Sequence, residues 1–293
     1  MSTVHVQTKR EIVELLEGAG VRPNKRLGQH FLIDGNLMRR LAASAELEAA
    51  DLVLEVGAGT GGLTDLLVGQ ARQVVSVELD EGLFALLEER FRESQGLTLL
   101  HGDILESKHR IMSEVAGAIQ GYHGEPGGSA KLVANLPYQA ATPLVMNLLL
   151  DYPQVRRLCF TVQAEVGERI TAAPDCRAYG PLSIICQLLC EVQTVAKVPA
   201  EAFWPRPGVS SVMLRLDAVK TPFARREELR AFAELVHCVF EHRRKTMRSA
   251  LAYCLDDVPR EQVCQVFNAT RRPESFTPDE WRGIHAAAKH RSA

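Results

Sequence analysis

The sequence predicts an α/β protein with a doubly wound, mostly parallel sheet, followed by a small all-helical C-terminal domain. An apolar strand pattern at 51–56 runs into the glycine-rich loop 57–62 and then into a helical pattern at 63–68, which is the opening unit of such a sheet. Further strand patterns follow at 73–77 and 97–100. After Asp217 the apolar spacing is helical only, over 227–240, 246–254 and 260–267. We therefore predict a helical extension at 1–23, an α/β domain at 24–217 and a helical domain at 218–293.

Composition places the chain among ordinary globular proteins. Of its 293 residues, 46% are hydrophobic and 24% charged. No apolar run approaches the roughly 20 residues that span a bilayer. The first 20 residues carry acids and lack an apolar core, so we expect neither a secretion signal nor a transit peptide, and a cytoplasmic location. The seven cysteines contain no C-x-x-C pair, which predicts reduced, mostly buried thiols and no metal site.

Positive charge concentrates toward the C-terminus. Residues 1–217 hold 20 basic and 26 acidic side chains, and residues 218–293 hold 14 and 10, within a net charge of −2. This asymmetry indicates a polyanionic partner. The candidate contacts to the phosphates of such a partner are the cations of the 242–248 segment, which could equally be a solvated turn, and of the rigid aromatic loop 203–208, namely Arg243, Arg244, Lys245, Arg248 and Arg206.

The N-terminal segment predicts a helix and then a covering loop. Thr8 and Glu11 fit a capping box for a helix over 8–17, and Asp34 is placed to cap a helix over 36–44. The basic loop 22–34 between them is broken by glycine but carries four large apolar residues. We expect it to fold back over a site.

The glycine loop fits two cofactors. Gly57-x-Gly59-x-x-Gly62 satisfies the dinucleotide pattern of a dehydrogenase, and Glu78, 19 residues beyond Gly59, suits the hydroxyls of a ribose. Glu55 directly before the loop is unfavourable beside a pyrophosphate but acceptable beside the sulfonium or ammonium of S-adenosylmethionine. Asp103, after the strand at 97–100, suits an adenine amine. The segment favours a methyltransferase.

The motif Asn135-Leu136-Pro137-Tyr138 ends an apolar strand and suits chemistry on the amine of a flat ring. The Asn135 side chain and the Leu136 or Pro137 backbone offer carbonyl acceptors, and Tyr138 offers an aromatic face. The predicted elements after it are a helix over 142–150, strands at 156–162, 192–198 and 209–216, and helices at 163–170 and 178–190. Before it, 104–130 is predicted to be an amphipathic connection and surface insertion with a flexible end.

These motifs, in order and spacing, resemble the KsgA/RsmA-type small-subunit rRNA adenine N6,N6-dimethyltransferases. The resemblance covers about residues 22–280. The matching segments are KRLGQHFLID (25–34), LEVGAG (54–59), VELD (77–80), GD (102–103), NLPY (135–138), QAEV (163–166), YGPLS (179–183), FWPRP (203–207), VSSV (209–212) and RRKTMR (243–248). The sequence departs from the family pattern in having His30 where many members have Asn and Val166 where some related enzymes have an aromatic residue. The sequence therefore leaves three options for stacking on the target base: Phe160 together with Tyr138, Tyr138 alone, or another residue.

The resemblance implies a Rossmann-like class I methyltransferase domain with a seven-stranded sheet, and a C-terminal domain that recognises rRNA. It implies S-adenosylmethionine contacts from His30, Leu32, Gly57, Glu78, Asp103 and Asn135. The implied reaction is dimethylation of N6 of two adjacent adenosines in the 3′-terminal hairpin of 16S rRNA. We expect a monomer acting on a partly assembled 30S particle, without metal or membrane. The alternatives are a large-subunit rRNA methyltransferase of the antibiotic-resistance type and a non-catalytic RNA-binding assembly factor.

Overall fold

The computed structural model describes residues 6–24, 27–122, 127–220 and 223–289. Parts of four predictions lie outside these residues: the start of the N-terminal extension, the basic pair at 25–26, the 123–126 part of the flexible connection, and residues 221–222 and 290–293 of the helical domain. The chain divides into two compact units. The first comprises the chain up to Gly167 together with Gln193–Ala218, and the second comprises Glu168–Val192 and the chain from Val219 onward.

The first unit contains a seven-stranded sheet of order β4-β3-β2-β7-β8-β11-β9. Its central strands pair in parallel from β4 to β8, and β11 is antiparallel to β8. The strand order reverses direction between β2 and β7, which is where doubly wound sheets bind ligands. The strands are β2 (Leu52–Val56), β3 (Gln73–Glu78), β4 (Leu97–His101), β7 (Ala130–Asn135), β8 (Val155–Gln163), β9 (Cys190–Val198) and β11 (Ser211–Ala218). The predicted mostly parallel, seven-stranded α/β sheet is confirmed.

Helices and two small ribbons surround this sheet. The capping box of Thr8 and Glu11 and the Asp34 cap are both present, as predicted. A two-stranded ribbon, β1 (Phe31–Leu32) with β10 (Phe203–Trp204), joins the N-terminal loop to the loop at 203–208. The other elements are α1 (Lys9–Gly18), α2 (Gly35–Ser44), α3 (Thr64–Leu67), α4 (Glu81–Arg90), β5 (Leu105–Ser107), β6 (Arg110–Ile111), α5 (Ser113–Gly121), α6 (Tyr138–Asp151) and α7 (Ala164–Thr171).

Helix α6 begins four residues earlier than predicted. The Thr142–Pro143 pair resembles a cap followed by a first helical residue, but Pro143 lies inside the helix. Pro137 is the N-cap, and its carbonyl accepts hydrogen bonds from the N–H groups of Ala140 and Ala141 at 3.0 and 3.1 Å. Pro143 has no N–H to donate to the carbonyl four residues earlier, so α6 lacks one internal hydrogen bond there. Tyr138 is therefore the first residue of α6.

The connection at 104–130 is not the surface insertion that we predicted. It contains the β5–β6 hairpin and α5, and Ile111, Val115 and Ile119 are at most 2% exposed. Val115 and Ile119 form the buried face of α5, and Ile111 is buried at the end of β6. Burial of such a face stabilises a short amphipathic helix.

The second unit is mostly helical, as predicted for the C-terminal part of the chain, but it also includes residues 168–192, which we assigned to the α/β domain. Its core contains Phe232, Phe276 and Trp281, which are fully buried. The 3₁₀ turn at Pro273–Ser275 and α12 were not predicted. The helices of this unit are α8 (Pro181–Leu189), α9 (Arg226–Glu241), α10 (Met247–Leu251), α11 (Asp257–Val266) and α12 (Pro278–Lys289). In the part of the chain that the structure describes, no helix is both long and apolar enough to cross a membrane.

The prediction that all cysteines are reduced is wrong for one pair. Cys238 in α9 and Cys254 after α10 form a disulfide, with their Cα atoms 5.9 Å apart. The short α10 and its two turns reverse the chain, so that Cys254 returns to the side of α9. A spacing of 16 residues outside any recognised pattern gave no sign of this. Cys159, Cys186 and Cys190 are free and buried, as expected.

Candidate active site

A cavity of about 290 Å³ lies in the first unit at the carboxyl ends of β2, β3 and β7. The glycine loop, the segment after residue 27 and the start of α6 complete its walls. The structure brings together here every residue predicted to bind the cofactor or to act in catalysis: His30, Leu32, Gly57, Glu78, Asp103, Asn135, Leu136, Pro137 and Tyr138.

The glycine loop lies directly against the Asn135–Tyr138 motif. Gly57 has a φ of +77°, and a Cβ atom placed there would lie 3.0 Å from Pro137 Cγ. The Gly57 N–H donates to the Val77 carbonyl at 2.8 Å. Only glycine combines this left-handed conformation with so close an approach. The loop therefore requires Gly57 to bring its backbone next to Pro137.

Glu78 is fixed by two backbone donors at the end of β3. Its carboxylate accepts hydrogen bonds from the N–H groups of Gly59 at 2.8 Å and Asp80 at 2.9 Å. The side chain is buried, and this burial raises its pKa, although the backbone donors oppose the rise. Each carboxylate oxygen retains acceptor capacity. Glu78 is thus a rigid acceptor on the cavity wall.

Glu55 is a second buried carboxyl group that lines the cavity. One oxygen accepts from Thr64 Oγ1 at 2.8 Å and from Ser76 Oγ at 2.7 Å, while Oε1 receives no hydrogen bond. Burial raises its pKa from 4.5 to about 7. An unpaired buried oxygen is rare in folded proteins and indicates a ligand position. From its position before the glycine loop we expected Glu55 to lie beside the cofactor, but we did not count it among the predicted binding residues.

Asn135 is held by hydrogen bonds on both ends of its side-chain amide. Its Nδ2 donates to the His30 carbonyl at 3.1 Å, and its Oδ1 accepts from the Thr161 hydroxyl. Because a backbone carbonyl only accepts, the nitrogen must face His30, and the amide orientation is fixed. Oδ1 keeps one lone pair. Thr161, a fully buried residue of β8, was missed, because a threonine in a strand pattern carries no functional signal.

The two backbone carbonyls of the motif differ in availability. Both hydrogen bonds to the Pro137 carbonyl come from α6, so it is committed to capping that helix. Within the described residues, no N–H or O–H group donates to the Leu136 carbonyl. Leu136 is therefore the better of the two proposed backbone acceptors.

Tyr138 and His30 place two rings beside this acceptor pair. Their centroids are 5.8 Å apart. The Tyr138 hydroxyl hydrogen-bonds to Ser211 Oγ at 3.0 Å, and burial raises the pKa of the phenol. His30 Nδ1 lies 2.6 Å from the Pro205 carbonyl and so carries a proton. Phe160 is fully buried in β8 and offers no face to a ligand.

Leu32 and Asp103 line two other parts of the cavity. Leu32 is buried and pairs with Phe203 in the β1–β10 ribbon. Asp103 is exposed, and one of its oxygens accepts from the Leu105 N–H at 2.9 Å. Its other oxygen has no partner in the described part of the chain. The segment at 27–32 does fold over the cavity, as predicted.

The predicted RNA-binding cations are mostly paired with carboxylates. In the first unit, Arg206 contacts Glu201 at 2.7 Å. In the second unit, Arg248 contacts Glu261 at 3.1 Å and Arg243 lies 3.9 Å from Glu274. Among the described residues, Arg244 and Lys245 have no carboxylate partner, and no cluster of His, Cys, Asp and Glu could hold a metal ion.

Comparison with known proteins gives consistent matches. Residues 20–271 match the family model described as ribosomal RNA adenine dimethylase. A protein named ribosomal RNA small subunit methyltransferase A from Moorella thermoacetica is 38% identical over 289 residues, covering 97% of this chain and 99% of that protein. A protein of the same name from a Geobacillus species is 35% identical over 285 residues, covering 94% and 95%.

Two solved structures share the fold. A dimethyladenosine transferase from Plasmodium falciparum has a TM-score of 0.71 at 21% identity, covering 87% of this chain and 96% of that one. The 23S rRNA methyltransferase ErmE has a TM-score of 0.65 at 23% identity, covering 89% and 100%.

Proposed function

Because the chain belongs to the ribosomal RNA adenine dimethylase family and is therefore a methyltransferase, we propose that it dimethylates N6 of two adjacent adenosines in the 3′-terminal hairpin of small-subunit rRNA. The methyl donor is S-adenosylmethionine. The small subunit is proposed because it appears in the names of both relatives. The observation that carries the chemistry is the fixed Asn135 amide beside the free Leu136 carbonyl.

The donor groups of the cavity fit S-adenosylmethionine. The unpaired Oε1 of buried Glu55 suits the cofactor's ammonium group, and a negative carboxylate there disfavours a pyrophosphate. Glu78 would accept the ribose hydroxyls, and Asp103 the adenine amine. The remaining contacts would come from the backbone of His30, Leu32 and Gly57. When bound, the cofactor supplies an electrophilic methyl group on a sulfonium.

The catalytic task of the protein is to prepare the adenine amine. N6 is a poor nucleophile because its lone pair is delocalised into the ring. Asn135 Oδ1 and the Leu136 carbonyl would accept its two N–H groups and favour a pyramidal nitrogen whose lone pair faces the methyl group. Acceptors held in place before the reaction act through orientation and electrostatics. No general base is needed, because the methylated nitrogen can lose its proton to water.

The target base must leave its stack to reach these acceptors. Tyr138 would stack on the extruded base, with its hydroxyl anchored on Ser211. His30, 5.8 Å from the Tyr138 ring, replaces Phe160 as the second candidate ring. The protein would act in the cytoplasm as a monomer. Its substrate would be a partly assembled particle, because a net charge of −2 provides little attraction for naked RNA.

The test is methyl transfer to matched substrates. The protein and labelled S-adenosylmethionine are incubated in three separate reactions. The substrates are small subunits lacking adenine dimethylation, large subunits, and naked small-subunit rRNA. We expect label on the small subunit, with less on naked rRNA. Label on the large subunit would support an antibiotic-resistance type of enzyme, and no label with the cofactor still bound would support an assembly factor.

A further inference from the structure

The second unit exposes an aromatic pair at the two turns that flank α10. The rings of His242 and Tyr253 stack with centroids 3.9 Å apart and an interplanar angle of 25°. Tyr253 is 58% exposed, whereas Phe232, Phe276 and Trp281 of the same unit are fully buried. The pair is therefore separate from the aromatic core.

Covalent and backbone bonds hold the pair in place. The Cys238–Cys254 disulfide ties α9 to the residue that follows Tyr253. The His242 N–H donates to the Val239 carbonyl at 3.0 Å, and the Tyr253 N–H to the Ala250 carbonyl at 3.1 Å. The two rings are presented by a closed segment, so little conformational entropy remains to be lost when a ligand stacks on them.

The segment that carries the pair is basic, and Glu241 and Asp256 flank it along the chain. Residues 242–255 contain four basic side chains and no Asp or Glu. Lys245 Nζ lies 5.3 Å from the centroid of the Tyr253 ring. Carboxylates already face Arg243 and Arg248, whereas among the described residues none pairs with Arg244 or Lys245. An exposed aromatic pair thus lies beside two cations that have no carboxylate partner among the described residues, and one of them, Lys245, makes a cation–π contact with the Tyr253 ring.

We propose that His242 and Tyr253 form a stacking surface for an unpaired base of the RNA substrate, with Lys245 and Arg244 on the adjoining phosphates. Exposed aromatic rings beside basic side chains are the common way for proteins to hold unpaired nucleotides. An acidic peptide would engage the cations but would leave the aromatic pair unused. This inference rests on the proposed function, because it requires an RNA substrate, and it adds a contact that the catalytic cavity does not contain.

The test is a binding series on small subunits lacking adenine dimethylation. We expect Tyr253→Ala to weaken binding about tenfold and to leave the salt dependence unchanged, because stacking is not ionic. Lys245→Ala should lower the slope of log K against log salt by about one. Tyr253→Phe should bind like the wild type, since it keeps the ring. Val266→Ala, at a residue 69% exposed in the same unit, is the matched control.

Three outcomes would overturn the inference. They are wild-type binding by Tyr253→Ala, equal weakening by Tyr253→Phe and Tyr253→Ala, and weakening by the Val266→Ala control. Tyr253→Leu serves as a second ring-free variant if the alanine variant melts early. Failure of the proposed function would give a different result from failure of this inference. The wild type would still bind the particle, binding would still depend on Tyr253, and no methyl group would be transferred. No binding by the wild type would contradict both.

Discussion

Glu55→Gln should have opposite effects on the stability of the free protein and on its affinity for the cofactor. The carboxyl group is buried and its pKa is raised from 4.5 to about 7. A tenfold change in proton affinity corresponds to about 1.4 kcal/mol, so ionised Glu55 costs the folded protein about 3 kcal/mol above pH 7. Glutamine removes the charge and can still accept from Thr64 and Ser76.

The sign of the pH dependence follows from the raised pKa. The folded protein binds this proton more tightly than the unfolded chain does, so the wild type loses stability as pH rises from about 4.5 to 7 and no more above it. Glu55→Gln should therefore match the wild type near pH 4.5. At pH 8 it should melt roughly 5–10 °C higher.

Binding should move in the other direction. In the wild type an ionised Glu55 would face the cofactor's ammonium, and loss of one member of a buried charge pair is costly. We expect S-adenosylmethionine to bind Glu55→Gln at least tenfold more weakly at pH 8, by calorimetry. Glu201→Gln, at an exposed residue, is the control and should change neither quantity. A stability difference that is the same at pH 5 and pH 8, or an unchanged cofactor affinity, would refute the assignment.

Three further predictions follow from the geometry. Asn135→Ala should lower kcat about 10²- to 10³-fold and cofactor affinity much less; equal losses in turnover and calorimetry would contradict its catalytic assignment. Gly57→Ala should abolish cofactor binding because its Cβ would meet Pro137. Gly20→Ala, at a φ of +69° with open space around it, is the control and should only lower the melting temperature. Similar cofactor affinities of the two variants would contradict the role given to Gly57. Cys238→Ser should lower the free energy of unfolding by about 3 kcal/mol without reductant, and a loss that persists in reductant could not come from the disulfide.

Much of the sheet and the cavity could be predicted because local patterns determine them. A few consecutive residues are enough to identify the strand at 52–56 with its glycine loop. The same is true of the motif that begins at Asn135. Thr161 could not be found in this way, because only strand pairing brings it to Asn135. Ser211 lies in the matching segment 209–212, but nothing in that segment indicates its hydrogen bond to Tyr138. The same holds for the Cys238–Cys254 pair.

Two misses had signals in the sequence. Thr277 and Glu280 form a capping box at the start of α12, with hydrogen bonds of 2.7 and 3.2 Å, and the same pattern had been recognised at Thr8. The start of α6 was misplaced because Pro143 looked like a first helical residue. There the packing of α6 prevailed over local propensity.

The most direct test of the central claim is mass spectrometry of the 3′-terminal fragment of small-subunit rRNA after reaction with S-adenosylmethionine. Our account predicts two methyl groups on N6 of each of two neighbouring adenosines, and none with Asn135→Ala. Methylation at another nucleotide, at another atom of adenine, or at the same level with Asn135→Ala would contradict it.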